Sequence, residues 1–335
     1  MESASSNVII DKPKKVEEKA KRRSSGNLGT VFKKELADQL SSSRFFILFF
    51  LIMITGAVSF YTAVQNISGA SAGDSEFVLV KIFTIGGNSL PPFTWFLSLL
   101  GPLVGLAMGF DAINGEQNRG TMSRLLSQPL YRDDVINGKF LARLAVLAFM
   151  TFALGGFVAG MGILMTGVGP TAEEILRLLI YLVLSIVYMA FWLALSMLFS
   201  LVFRQTATSA LGGIALWLLF SIFVPLLAGM VADAVFPVND QTPAITQLHN
   251  IELKQGLARL SPSTLYSEAS VTILSPDVRT LGPVLAEQAS GAIMGYLPLG
   301  QSLLLIWPHL TGLVAATLII FAVAYTLFLR QEVRA

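Results

Sequence analysis

The sequence predicts an all-α polytopic membrane protein. It has six transmembrane helices, an N-terminal interfacial helix, and a helical extracytoplasmic segment between helices 5 and 6. Three observations predict this. Of 335 residues, 54% are hydrophobic and 13% charged, where a soluble domain carries about 25% charged residues. Six stretches reach the roughly 20 apolar residues that a bilayer crossing needs: 45–64, 93–113, 140–166, 175–202, 209–231 and 303–329. Lys and Arg are also unevenly spread between the connections. Only helices and closed barrels satisfy their backbone groups in lipid, and long apolar runs without alternation read as helices. Pro102, Pro225 and Pro308 lie inside three of the runs, which packed membrane helices tolerate.

Orientation follows from the charges. Six spans put both termini on one side. That side carries 10 Lys and Arg in residues 1–44, 5 in and beside the loop 116–139, Arg204, and 2 at the C-terminal end, 18 in all against 5 on the other side. The positive-inside rule places both termini in the cytoplasm of a multi-pass cell-membrane protein.

The elements follow in order. Residues 1–30 form a basic cytoplasmic tail read as disordered, with Lys12, Lys14, Lys15, Lys19, Lys21, Arg22 and Arg23. It either meets anionic headgroups or serves as a solvated topology signal, the simpler reading. It lacks the apolar core of a cleavable signal peptide. The remainder, 31–335, reads as one membrane domain. In residues 31–44, Val31, Phe32, Leu36 and Leu40 recur at helical spacing opposite Lys33, Lys34, Glu35, Asp38 and Gln39, the pattern of an interfacial helix. Residues 65–91 read as an outer loop rich in Gly and Ser.

The loop 116–139 reads EQNRGTMSRLLSQPLYRDDVINGK and is the polar exception between two apolar runs. Met122, Leu125 and Leu126 stand at i, i+3, i+4 and make one apolar face. Thr121 stands where it could cap the helix, Pro129 ends it, and Asp133 or Asp134 could cap the helix that follows. Such a helix presents a knob to a groove on a partner. The alternative is a tight connector whose apolar residues lie against lipid.

The connection between spans four and five is short, residues 203–208. The segment 232–302 is long and mixed in composition, with helical stretches at 245–260 and 265–274. It reads as a helical cap or a pair of half-inserted helices on the outer side. Gly101, Gly105 and Gly109 in span two, and Gly156 and Gly160 in span three, form rows of small residues. Such rows let helices approach closely. Their main expected use is packing within the chain; dimer contact is the lesser one.

Chemistry-bearing groups are few. The absence of cysteine excludes disulfides and thiolate metal sites. Asp111, near the inner end of span two, is expected to snorkel or to pair with an Arg. His309 is the single histidine in a span and reads as a hydrogen-bonded structural group. Met108, Met150, Met161, Met189 and Met197 fit gap filling better than copper ligation. No stretch matches the phosphate-cradling pattern G-x-x-x-x-G-K-[ST].

Glu116, Gly120, Thr121, Leu125, Leu126, Ser127, Pro129, Arg132, Gly138 and Lys139 resemble the first cytoplasmic loop of type-2 ABC exporter permeases, in the branch of NosY-like and GldF-like permeases. Phe32–Glu35–Leu36, Leu260–Ser261–Pro262 and Phe328–Leu329–Arg330–Gln331–Glu332 agree with it. The resemblance runs from about residue 30 to the end. It implies a permease subunit that forms a translocation path as a homo- or heterodimer in the lipid bilayer. It also implies coupling to a separate ATPase subunit, which would carry ATP and magnesium, with no cofactor in this chain. Glu116, Thr121, Met122, Arg124, Leu125, Leu126, Ser127 and Arg132 would make the coupling contact, and Arg204 and Gln205 a second inner contact. No catalytic, metal or nucleic-acid site is expected. Two other classes stand beside this one. An ion-coupled secondary carrier would show internal repeats. A membrane-embedded enzyme would need convergent acid, base or metal groups.

Overall fold

The computed structural model describes residues 28–69, 77–86, 91–121, 130–239, 242–278, 281 and 296–330. Among these, six helices are long and apolar enough to cross a membrane. We number the helices in chain order. α1 spans residues 28–40. α2 (Ser43–Gly69) follows after a break where the Ser42 hydroxyl donates to the Gln39 carbonyl and accepts from the Phe45 N–H. That exchange satisfies one donor left open at a helix start.

α3 (Val78–Thr84) is short, and its Leu79, Val80, Ile82 and Phe83 are buried. The expected Gly- and Ser-rich loop therefore holds a helical plug: an apolar run of one or two turns is too short to span but long enough to bury. α4 (Phe93–Gly109) leads through a turn into the short α5 (Asn114–Asn118). α6 (Arg132–Thr166) carries Asp133 and Asp134 in its first turn. Neither caps the helix: Tyr131 holds the cap position without a side-chain bond. The two acids instead complement the positive end of the helix dipole.

α7 (Ala172–Val202) starts on a full capping box between Thr171 and Glu174. Its Tyr181, Tyr188, Trp192, Leu193, Ala194 and Met197 are completely buried. α4, α6, α11 and α12 all pack against it, so α7 is the post of the bundle. Met108, Met150, Met189 and Met197 are buried in the same core, and Met161 packs beside it.

α8 (Thr206–Leu218) and α9 (Val224–Val235) make one span interrupted by a π turn, Leu219–Phe223. Pro225 supplies the physical cause, since it has no N–H to donate and crowds the preceding turn. α10 (Ala244–Ala258) packs along α9, and α11 (Pro262–Leu274) returns between α12, α7 and α4. Their turn is fixed by the Ser261 hydroxyl, which donates to the Phe220 carbonyl at 2.6 Å. Phe220 lies at the middle of the span Thr206–Val235. The α10–α11 hairpin therefore dips to mid-span depth beside α9. α12 (Leu299–Arg330) closes the bundle.

The glycines divide. A Cβ on Gly105 would stand 2.7 Å from the Met189 carbonyl oxygen, and one on Gly109 would stand 2.8 Å from Ser196 Cβ. Gly101 faces Met189 in the same way. This row packs α4 onto α7. Among the described residues, a Cβ on Gly156 or Gly160 would meet nothing within 4 Å. In α6 that role falls to Gly155, against Leu182, and Gly162, against Ile82. A four-residue interval picks a face; it does not say which face is covered.

Candidate functional site

The end of the bundle that carries α1, α5 and the 203–205 turn is its basic end. There the charged groups are collected into one buried lattice. Lys139, on the second turn of α6, is 1% exposed. Its ammonium group donates to Glu35 Oε1 at 2.9 Å and to Glu116 Oε1 at 2.6 Å. Arg143 lies one turn further along α6, donates to Glu35 Oε2 at 3.3 Å, and reaches the Met108 carbonyl at 2.8 Å. Three elements are thus joined: α1 through Glu35, α5 through Glu116, and α6 through Lys139 and Arg143. A Cβ on Gly138 would meet Val31 Cγ1 at 2.6 Å, so only glycine lets α1 approach α6 this closely.

Burial by itself pushes the Glu35 carboxyl up, but the charges of Lys139 and Arg143 outweigh it and hold it below its ordinary value. The carboxylate's contribution is therefore present above the ordinary carboxylate range and is lost as pH falls through the lowered value. Breaking a buried pair of this kind costs about 3–5 kcal/mol, because the remaining charge is left uncompensated.

Asp111 pairs with an Arg, in bidentate geometry. Arg44 at the start of α2 donates to both Asp111 oxygens at 2.8 and 2.7 Å and lies over the Phe110 ring. A cleft of about 370 Å³ opens between these groups, lined in part by Glu35, Asp38, Arg44, Asp111, Glu116 and Arg119. α5 is also tied sideways. The Ser200 hydroxyl accepts from the Ile113 and Asn114 N–H groups. The Asn114 and Asn118 amides donate to the Phe203 and Arg204 carbonyls, both at 3.2 Å. The two connections at this end are bolted to each other. Glu116 Oε2 and Asn114 Oδ1 stay buried without a hydrogen-bond partner.

Of the residues singled out in the loop, Glu116 lies inside this lattice, and Thr121 is exposed with its hydroxyl on the Glu116 carbonyl. Arg132 opens α6. Met122, Arg124, Leu125, Leu126 and Ser127 lie outside the described residues. Arg204 and Gln205 are exposed in the turn before α8. The pairing of Glu35 with Lys139 and Arg143 goes beyond what the sequence was read to contain. Its signal was present: two cations at i, i+4 on the opening turns of an otherwise apolar helix need anions on one face.

The family model of the ABC-2 family transporter protein matches residues 29–333. The chain belongs to the ABC-2 family of transporter proteins. This ABC transporter membrane subunit is 25% identical over 318 residues to a probable ABC transporter permease protein NosY of Stutzerimonas stutzeri. That match spans 90% of the chain and 97% of the relative. A probable NosY permease of Pseudomonas aeruginosa is 34% identical over 124 residues, which is 36% of this chain and 40% of that protein. The ABC-2 match begins at α1 and covers the whole charged lattice. The subunit is thus a transporter component rather than an enzyme.

Proposed function

We propose that this ABC-2 subunit is an exporter permease driven by a separate ATPase that docks on the loop 116–139. The basic end then faces the cytoplasm, with both termini on that side. The observation that carries the reading is the double bond of Lys139 to Glu35 and Glu116. The loop leaves the bundle after α5 and re-enters at α6, and Lys139 ties its departure, its return and α1 together. A push on the loop therefore reaches α1, α5 and α6 at once. Asn114 and Asn118 carry it on to the turn before α8. ATP and magnesium belong to the partner chain.

The path forms in a dimer of permease subunits, and the α8–α9 span supports that reading. Leu211, Ile222, Phe223, Leu226 and Met230 on it are exposed. Exposed apolar side chains along a whole span leave a face on which a second subunit could pack.

Leu125→Asp tests the docking. It puts a charge among the apolar positions Met122, Leu125 and Leu126 of the loop sequence. Membrane insertion is expected to stay intact, while co-purification of the ATPase and transport-linked ATP hydrolysis are lost. Normal ATPase binding and transport by this variant would refute the docking role.

A further inference from the structure

The hairpin α10–α11 carries charge to a depth where a membrane bundle normally has none. Its turn is held to Phe220, the middle of the α8–α9 span. Beside that turn Glu268 of α11 takes two donors on one oxygen. Arg259 Nε donates to Glu268 Oε2 at 2.9 Å, and His309 Nε2 of α12 lies 2.7 Å from the same atom. Arg259 also holds the Leu281 carbonyl at 2.8 Å. The His309 side chain is 5% exposed, and its Nδ1 is buried without a partner.

The permanently charged Arg259 guanidinium donates directly to Glu268 Oε2, which favours the carboxylate. Glu268 is thus an acceptor only. The hydrogen between it and His309 must sit on Nε2, which leaves Nδ1 as a bare, buried proton acceptor. Ionisable groups at membrane depth are costly and point to function.

We propose that Glu268 pins the α10–α11 hairpin to α12, and that a proton taken up at His309 Nδ1 tightens the pin. With His309 neutral, the pin is a bond from an uncharged donor to a carboxylate. With Nδ1 protonated it joins two full charges and shortens and strengthens. The proton adds to the ring and no other bond changes.

The packed elements carry further charged groups. Arg177 of α7 is committed to Glu173, the Ile273 and Leu297 carbonyls and Ser302. Lys81 lies on α3, whose Leu79 N–H meets Glu174 at the opposite end from the basic one. Lys254 of α10 lies against Gly229, and Glu252 stands two turns before Arg259. The chain's second histidine, His249, lies tilted beside Phe236 with ring centroids 5.6 Å apart, about 15 Å along α10 from Arg259. Within α11 and α7, Tyr266, Tyr181 and Ser185 bond one another.

The chain has no cysteine and Leu260 at the hairpin tip is 71% exposed, so Leu260→Cys accepts a nitroxide label cleanly. The full-length subunit in lipid nanodiscs is measured by electron paramagnetic resonance from about pH 5 to 8. The label is expected to lose mobility in one transition as pH falls. His249→Gln keeps that transition and His309→Gln abolishes it. Glu268→Gln leaves the label mobile at every pH. A flat response in the chain with only Leu260→Cys overturns the proposal, and so does a transition that survives His309→Gln. If Glu268→Gln fails to insert, Arg259→Gln serves in its place: it spares the His309 bond and should keep the transition, whose loss would count against His309 as the proton's seat.

Discussion

α7 and the α8–α9 span are almost equally apolar, yet 72% of the apolar centre of α7 is buried within the chain against 6% of that of α8–α9. The polar atoms separate the two less cleanly, since Trp192 Nε1 of α7 is itself buried without a partner. On α7, Ser185 meets Tyr266, Tyr188 meets the Ser98 carbonyl, and Ser196 meets the Leu106 carbonyl. On α8–α9, Ser209, Trp217 and Ser221 hold polar atoms with no partner. Hydropathy reports the solvent a helix tolerates, whereas small and polar residues report the helices it touches. α7 is covered by neighbouring helices along most of its length, with Ile175, Leu176, Leu179, Val183 and Val202 left exposed. The α8–α9 span packs against α4, α7, α10 and α11 and leaves its remaining face open.

The sharpest way to break this contrast is to overfill each contact with the same side chain. Gly105→Leu drives a side chain into the Met189 carbonyl and Trp192 Cβ, which are backbone and near-backbone atoms of α7. Gly213→Leu on α8 meets the Leu106 side-chain methyl instead, which can rotate away. We expect Gly105→Leu to cost about 3 kcal/mol or to abolish folding, and Gly213→Leu about 1 kcal/mol. Thermal unfolding of the two purified variants in one detergent decides it. Equal losses would mean that α7 is no more tightly packed than α8.

A smaller effect is expected from Arg177→Met, which preserves much of the bulk of the α7 side chain but strands the Ile273 and Leu297 carbonyls. Unsatisfied buried acceptors of this kind cost about 1–3 kcal/mol. The loss should appear as faster hydrogen exchange around residues 273–278 and 296–302, with α8 unchanged. Uniform exchange along the chain would show that Arg177 is not a local tie.

The smallest effect belongs to Leu226→Ala on α9, where the side chain is exposed in the single chain. Unfolding of the isolated subunit should shift by no more than about 0.5 kcal/mol. The same substitution measured in an assembled transporter sharpens the comparison. A clearly larger loss there would mark this face as covered by a second subunit.

Much of the fold was legible because the membrane restricts the choices. Six apolar runs gave six helices, and the opening of α6 before Lys139 could be read from local chemistry. α3 was not legible, since Val78–Thr84 is too short for a helical period to stand out from a loop. The charged lattice was legible only in pieces. Glu35 looked like the polar face of an interfacial helix, and Lys139 like a charge beside a membrane span. Their 104-residue separation in sequence hides a 2.9 Å contact that only packing creates. The same holds for Glu268 and His309, whose meeting depends on a hairpin that folds back to mid-span. Gly156 and Gly160 were indistinguishable by spacing from Gly101, Gly105 and Gly109, because a small-residue row carries no record of its partner.

The π turn at Leu219–Phe223 has a meaning for how such a chain can change over generations. It holds one residue more than the helix around it would use. Each residue advances an α-helix by about 100°, so the turn sets the azimuth of everything in α9 relative to α8. A lineage that lost this single residue would keep its hydropathy profile and nearly its length. Its outer half-helix would nevertheless point elsewhere, and the Phe220 carbonyl that Ser261 grips would be re-aimed with the turn. Apolarity would record such a deletion as silent, while the hairpin would lose its mooring.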